Sequence, residues 1–346
     1  MLHVVVEEEH PAVGVIVDYV DLLEPGASRE AVLLRVVCEV QPAIGLVHDV
    51  SRLLETDLIP GRHTESTQFL NVLITSSFSL GRLNRPLYDQ LVRYYEVLEG
   101  RDWVGETDLI ASVLDAHQCR SVVDLGCGTG YHARSLARLG FETSGVDISR
   151  QNIRFAKEKA MEEGADVDFV VGSYYGYRPV KSPDAALCMN WSIPVKDGEL
   201  RRFLDNTHSM LRPGGLLIFD YEKVEEIVWD DVGKPNFEWW DVEGELVVRV
   251  SVGMIESNVL SSRDVYAIYP KRYRPGPPDE KLRYKATAEA NDVRIYRDHS
   301  FVRFFSPREI RRLARASGFK VVANLVLPRK KYRRSYAVLE KIKGTG

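Results

Sequence analysis

From about Leu87 onward, the apolar positions of the chain follow two alternating patterns. In LYDQLVRYYEVLEG, DWVGETDLIASVLDAH, YHARSLARLG, QNIRFAKEKAMEEG, GELRRFLDNTHSMLRPGG and SPREIRRLARASGF they recur every three to four residues, which predicts amphipathic helices. Between these stand the short apolar runs SVVDLG, FETSGVDIS, VDFVVGS, PDAALCMNW and LLIFDYE, which predict strands. Gly140 and Gly164 close two of the helices, and Ser306 with Glu309 three places on predicts a capped start for the last. Strands and helices alternating at this spacing imply right-handed crossovers and an α/β fold: a mostly parallel sheet with helices on both faces.

Two regions depart from that rhythm. Residues 222–300 carry ELVVRVSVGMI, RDVYAIYP and DVRIYRDHSFVRFF with Gly and Pro between them, which predicts an antiparallel β insertion that serves as a lid, a dimer interface or both. Pro270, Pro275, Pro277 and Pro278 mark part of it as loop. Residues 1–80 read as a separate small α+β module of unknown role. It has strand-like runs HVVVEEE and VGVIVDYV and a helix from Ser28 to Val40, with IPGRHTESTQ as a linker. The closing runs FKVVANLVL and RSYAVLEKI predict a hairpin-like pair at the sheet edge.

Composition narrows the class without naming a function. At 346 residues, 45% hydrophobic and 28% charged, the chain has the makeup of an ordinary globular protein. It contains no apolar stretch long enough for a membrane-spanning helix, and MLHVVVEEEH runs into glutamates, so a cytoplasmic protein without membrane contact is expected. The four cysteines (Cys38, Cys119, Cys127, Cys188) are scattered, which argues against a zinc site or a disulfide framework. A formal charge of −4 offers no global attraction to nucleic acid, although KRYR at 271–274 and RKKYRR at 329–334 are locally basic.

The chemistry is concentrated in VVDLGCGTGYH, residues 122–132. Gly126, Gly128 and Gly130 follow the first strand of the alternating region and precede a helix, the usual ligand position in an open parallel sheet. A dinucleotide fingerprint needs G-x-G-x-x-G, whereas the spacing here is G-x-G-x-G. Asp124 stands where a carboxylate would repel a pyrophosphate but pair with the ammonium of a methionine moiety. Asp147 ends the next strand, placed to accept two ribose hydroxyls. Ser173 and Tyr174 end the third, placed to meet an adenine. Together these favour S-adenosyl-L-methionine over a dinucleotide.

With these motifs and LRPGGLLIFD at 211–220, the chain from about residue 87 to 346 resembles the class I S-adenosylmethionine-dependent methyltransferases. The resemblance implies a Rossmann-like seven-stranded sheet in a methyltransferase domain over 81–346. It also implies a donor site of Asp124, Gly126, Cys127, Gly128, Gly130, His132, Asp147, Ile148, Ser173, Tyr174 and Asn190. Ser173 stands where the family often has Asp. The sequence after the fourth strand, MNWSIP, lacks the D/N-P-P-Y/F motif of base amino-group methyltransferases and a Pro-Cys nucleophile, and no metal-binding carboxylates of the catechol type are present.

The segment leading in resembles the glycine/sarcosine and amino-sugar N-methyltransferase branch, with Tyr94, Tyr95, Glu96, Trp103 and Glu106 at positions that close over the donor. The implied reaction is methyl transfer to a small-molecule nucleophile, foremost an amine. Tyr95, His299 and Arg303 are the candidates to orient the acceptor or take its proton, over a floor of Asn190 and Trp191. Two other readings remain at this level: an RNA (tRNA) methyltransferase using the basic runs, and a non-catalytic S-adenosylmethionine-binding protein. Self-association through the insertion is an expectation.

Overall fold

The structure, a computed structural model, describes residues 85–270, 294–327 and 334–342. The N-terminal module, KRYR, the loop prolines Pro275, Pro277 and Pro278, and Arg329 to Arg333 lie outside the described residues. Of the described residues, 85–237, 250–264, 297–327 and 334–342 form one compact unit, which holds the parallel strands and the loops at their ends. Of the insertion, residues 238–249, 265–270 and 294–296 belong to a second unit.

Seven strands build the central sheet: β1 (Ser121–Leu125), β2 (Glu142–Asp147), β3 (Val167–Val171), β4 (Ala185–Cys188), β5 (Leu216–Lys223), β10 (Phe319–Leu327) and β11 (Arg334–Lys341). Their order is β3-β2-β1-β4-β5-β11-β10. The first five are parallel, and β11 lies antiparallel between β5 and β10. The closing strands therefore pair as expected, with β11 inside the sheet and only β10 beyond it.

Neighbouring residues of the central strands enter opposite cores, as a sheet covered on both faces requires. Val122, Ala185, Leu187, Leu216, Ile218, Tyr336 and Val338 pack on one side with Ile110, Leu114 and Leu136. Val123, Ala186, Cys188, Leu217, Phe219, Ala337 and Leu339 pack on the other with Phe203, Leu204 and Ile310. The covering helices are α2 (Trp103–Ala116), α3 (Tyr131–Arg138), α4 (Arg150–Glu163), α5 (Asp197–Met210) and α6 (Pro307–Ala316), after a single α-turn, α1 (Tyr95–Leu98). Asp102 caps α2, Ser149 caps α4 and Ser306 caps α6, each accepting a backbone N–H three residues on. The Glu309 carboxylate, expected to complete the last cap, is bonded to Arg303 instead.

Two expected elements differ. LYDQLVRYYEVLEG is not one helix but two 3-10 turns (Pro86–Tyr88 and Val92–Tyr94) followed by α1. Its Leu87, Leu91, Val92, Tyr94, Tyr95 and Leu98 are all buried, so it is held as a strap with no single apolar face. The fourth strand stops at Cys188, because Asn190 and Trp191 turn into the left-handed region at φ of 58° and 56°. The insertion contains β6 (Pro235–Val242), β7 (Glu245–Glu256), β8 (Val259–Pro270) and β9 (Arg294–Phe305), of which β6 has no counterpart among the predicted strands. These continue the sheet in the order β5-β9-β8-β7-β6, and β9 joins β5 at Glu222 and Lys223.

Gly130 shows why the loop after β1 needs glycine for more than ligand approach. Its φ is +75°, and a Cβ there would stand 2.5 Å from the Phe169 ring and 3.0 Å from the Ala156 methyl. We expect Gly130→Ala to destabilise the protein by about 2–4 kcal/mol through left-handed strain and overpacking, read as a lower urea midpoint with little change in slope.

Candidate active site

The carboxyl ends of β1 to β5 supply the floor of the site, and the strap of residues 85–103 runs across it. The loop after β1 is spent largely on itself. Gly126 and Cys127 donate their amides to the Val146 carbonyl (2.8 and 3.1 Å), Gly130 donates to the Cys127 carbonyl (2.8 Å), and Gly128 donates to Asp147 Oδ2 (3.0 Å). These four N–H groups are therefore not a phosphate cradle, which agrees with the spacing argument against a dinucleotide. Gly128, at φ +54°, faces open space, its nearest foreign atom Asn152 Nδ2 at 4.0 Å. A ligand can come against the backbone there.

Asp124 is 2% exposed, and its Oδ1 has no hydrogen-bond partner among the described residues. Burial, with a smaller contribution from Asp147, pushes its carboxyl up to about 7. An unpaired buried carboxylate at a strand end fits a cationic ligand group such as an α-ammonium, which would supply the missing partner. Asp147 is pre-set: Oδ1 accepts from the Ser149 amide (2.7 Å) and from Asn152 Nδ2 (3.4 Å), and Oδ2 from Gly128. Burial raises its pKa against those bonds. Ile148 beside it is 78% exposed, an apolar side chain with room to cover a ring.

The remaining donor-site residues divide. Tyr174 Oη donates to the Ser192 carbonyl (3.2 Å), and Ser192 Oγ donates to the Gly126 carbonyl (3.4 Å), so the loops after β1, β3 and β4 are tied together. Ser173 Oγ accepts from the Tyr175 amide (3.3 Å). Cys127, by contrast, does not offer its thiol to the site: it packs with Ala133, Ile153, Ala156 and Phe169, and a Cβ on Gly145 would meet its Sγ at 2.9 Å. His132 is buried, with Nδ1 3.3 Å from Thr107 Oγ1 and Nε2 3.6 Å from Glu106 Oε2. Desolvation brings its pKa down to about 4, so the ring is neutral near pH 7.

The floor is organised by a buried ionic group that sequence reasoning missed. Arg101 donates through Nε and Nη2 to Glu106 (Nη2 to Oε2 2.8 Å), through Nη2 to Asp220 Oδ2 (3.0 Å), and through Nη1 to Asn190 Oδ1. Arg334 Nη1 also donates to Asp220 Oδ2 (3.0 Å), and Asp220 Oδ1 accepts the Trp191 amide (3.1 Å). The two guanidiniums hold the Asp220 carboxyl below its ordinary range despite burial. Asn190 Nδ2 donates to the Tyr95 hydroxyl, and Trp191 Nε1 donates to Glu222 Oε1 (3.0 Å). Two consecutive non-glycine residues at positive φ are thus pinned from both sides. The signal for Asp220 was present: a charge inside the apolar run LLIFDYE has to be paired when the strand is buried.

Tyr95 lies against Asn190, with Tyr88 and Trp103 rings 5.7 and 6.3 Å away. Burial raises its hydroxyl pKa well above the ordinary value. Glu96 pairs with Arg134 (2.7 Å) and Glu106 lies under Arg101, so neither carboxylate is free. Arg303 is not an acceptor clamp. Its guanidinium donates to Asp197 (2.7 Å), Glu309 (2.6 Å) and the Val195 carbonyl (2.9 Å), joining α5 to α6. His299 lies on β9, its Nε2 2.7 Å from Ser261 Oγ and its ring 4.4 Å from Phe301. Burial, Arg263 and Arg85 lower its pKa. Its neighbour Asp298 reaches the strap through Arg85 (3.6 Å), which lies over Tyr88.

These charges have measurable effects on stability. Below pH 4, Asp124 is protonated in both folded and unfolded chains. As pH rises toward 7 the unfolded chain ionises first, so folding loses stability until the buried carboxyl also ionises. Asp124→Asn should therefore raise stability at pH 8 by on the order of 2–4 kcal/mol and give no gain at pH 4, measured by urea unfolding at both pH values. Asp220→Asn should destabilise by about 3–5 kcal/mol because it leaves two buried guanidiniums undercompensated, read by the same method.

Comparison with known proteins agrees with this geometry. Residues 122–215 match a family model described as a methyltransferase domain. The glycine N-methyltransferase of Rattus norvegicus is 30% identical over 150 residues, covering 37% of this chain and 48% of the relative. The ubiquinone biosynthesis O-methyltransferase of Ralstonia nicotianae is 30% identical over 120 residues, covering 34% and 47%. The chain thus spans about half the length of the curated relatives it matches. Among solved structures, an S-adenosylmethionine-dependent methyltransferase from Clostridium acetobutylicum shares the fold at TM-score 0.57 and 16% identity, over 72% of this chain and 96% of that one. A sugar N-methyltransferase from Streptoalloteichus sp. does so at TM-score 0.57 and 19% identity, over 80% and 99%. No helix among the described residues is long and apolar enough to cross a membrane. Residues 122–215 thus match a methyltransferase-domain model, and the fold around them is one shared with solved methyltransferase structures.

Proposed function

We propose that the protein transfers a methyl group from S-adenosyl-L-methionine to the nitrogen of a small-molecule acceptor. The observation that carries the donor reading is the buried Asp124 carboxylate with an unpaired oxygen, set beside a pre-oriented Asp147. Asp124 would hold the ammonium of the donor's methionine moiety, Asp147 the ribose hydroxyls, and Ile148, Ser173 and Tyr174 the adenine. Gly128 leaves the backbone open to the donor.

The donor, when bound, supplies a methyl group already activated by a sulfonium. What the chain must add is orientation and exclusion of water. The strap does the second: Tyr88, Tyr95 and Trp103 form a run of rings from Ser149, whose hydroxyl donates to the Tyr88 carbonyl (2.7 Å), to His132, 5.6 Å from Trp103. The pinned Asn190–Trp191 turn and the Tyr95 hydroxyl provide the first.

Nitrogen is favoured over oxygen by the state of the ionisable groups on the floor. Tyr95 has its pKa raised by burial, His132 is neutral at pH 7 and weakly basic, Asp220 bonds two arginines, and Glu222 accepts from Trp191. A hydroxyl acceptor needs a base as it attacks, whereas a neutral amine attacks with its own lone pair and its product loses a proton to water afterwards. The glycine N-methyltransferase likeness supports the same choice and the O-methyltransferase likeness, of equal identity, supports the other, so the reading rests on the floor.

Two measurements test the reading. Calorimetric titration should show micromolar binding of S-adenosyl-L-methionine and none of NAD. Asp147→Ala and Asp124→Asn should each weaken donor binding at least tenfold, on the order of 1.4 kcal/mol or more. In methyl-transfer assays with a panel of amines and alcohols, turnover should be confined to amines and should rise with pH as the acceptor loses its proton. Turnover of alcohols only would refute the nitrogen assignment, and failure to bind the donor would refute the whole.

A further inference from the structure

Helix α6 presents two faces with different fates. Ile310 and Ala314 point inward and are buried with Phe305 and Phe319. Arg308, Arg311, Arg312 and Arg315 are all exposed, at spacings of three and four that bring them onto one outward face. With Ala316 they line an open hollow of about 600 Å³. None of the four forms an ion pair or hydrogen bond among the described residues. The helix's own acid, Glu309, is bonded to Arg303, and so is Asp197, the carboxylate that feels Arg312.

Local electrostatics oppose this arrangement. Like charges three and four residues apart weaken a helix, and Arg308 stands in the first turn, where the helix dipole disfavours a cation. The whole chain carries a formal charge of −4, so the stripe is not a sample of a generally basic surface. All four cations are arginines, whose planar forks bind phosphate oxygens in pairs. We propose that the outer face of α6 is a binding site for a compact small-molecule polyanion bearing two or more linked phosphate groups, held by Arg308, Arg311, Arg312 and Arg315.

The shape of the site selects this ligand from other polyanions. From Arg308 to Arg315 the helix advances about 10 Å, enough for two or three linked phosphates and short for an extended strand. The lining has no aromatic ring on which a nucleic-acid base could stack. The large apolar side chains of α6, Ile310 and Leu313, pack into the core, which leaves only the small Ala316 on the outer face and no bulky group to enter a lipid surface. The site is separate from the methyl-transfer floor and does not depend on the reading of that floor.

The test is calorimetric titration of the full chain with sodium tripolyphosphate, in parallel with orthophosphate, a 12-nucleotide single-stranded RNA and vesicles containing anionic lipid. The parent protein should bind tripolyphosphate at micromolar concentration in about 50 mM salt, and more weakly as salt rises. The double variant Arg311→Gln/Arg315→Gln should bind at least tenfold more weakly, and Arg311→Glu/Arg315→Glu not at all, neither with a lowered urea midpoint or a changed donor affinity. Absence of tripolyphosphate binding, equal binding by parent and variants, or equal affinity for orthophosphate would overturn the proposal. Tighter binding of the RNA or the vesicles than of tripolyphosphate would overturn it in favour of that surface.

Discussion

The Asp220 carboxylate is the point on which the site is hung. It sits near the end of β5, accepts one hydrogen bond from each of two buried arginines, and takes the Trp191 amide on its other oxygen. Through those three bonds it joins the strap at Arg101, the turn after β4 and the first residue of β11. Glu106 supplies the second negative charge, so two guanidiniums face two carboxylates. A buried group of this kind adds little net stability over an apolar core of the same volume, because desolvating four charges offsets most of their attraction. Its effect here is geometric: Asn190 and Trp191 are held at backbone angles that neither residue adopts by preference.

Asp124 Oδ1 and His132 Nε2 are among the buried polar atoms that have no hydrogen-bond partner among the described residues. They flank the glycine loop, Asp124 before it and His132 in the first turn of the helix that follows. An unpaired buried carboxylate is a cost to the folded chain that a bound cation removes, so stability and ligand binding are set against each other at Asp124. His132 differs, since Glu106 beside it is already committed to Arg101. Its neutral ring is packed against Trp103 and Tyr131, which makes it part of the wall under the strap.

Rigidity and access are divided in the same region. The loops after β1, β3 and β4 are cross-linked through Tyr174, Ser192 and Gly126, and the loop after β2 is tied to the strap through Ser149. The exposed Ile148 and the open side of Gly128 lie within that frame. A floor fixed by its own hydrogen bonds and open at a few chosen atoms suits a reaction whose main requirement is alignment.

The alternation of strands and helices and the positions of Asp124, Asp147 and the glycine loop are legible in the chain because they depend on local signals: apolar periodicity, helix caps and glycines at a strand–helix turn. The strap reads as a helix in sequence although it is not one, because its apolar residues are buried all round and periodicity carries no information about its shape. Arg303 and Cys127 belong to the site by residue type and neighbourhood alone. What removes them is the direction of their side chains, toward Asp197 and Glu309 in one case and toward Phe169 in the other. Arg101 and Arg334 stand 119 and 114 positions from Asp220 in sequence, and the three meet only when β5 and β11 pair and the strap crosses them. The sequence alone thus determined which ligand class the strand ends could receive, since that rests on short motifs. The partners of each charge, and with them the shape of the floor, were decided by tertiary structure, because pairing across a sheet is a long-range property.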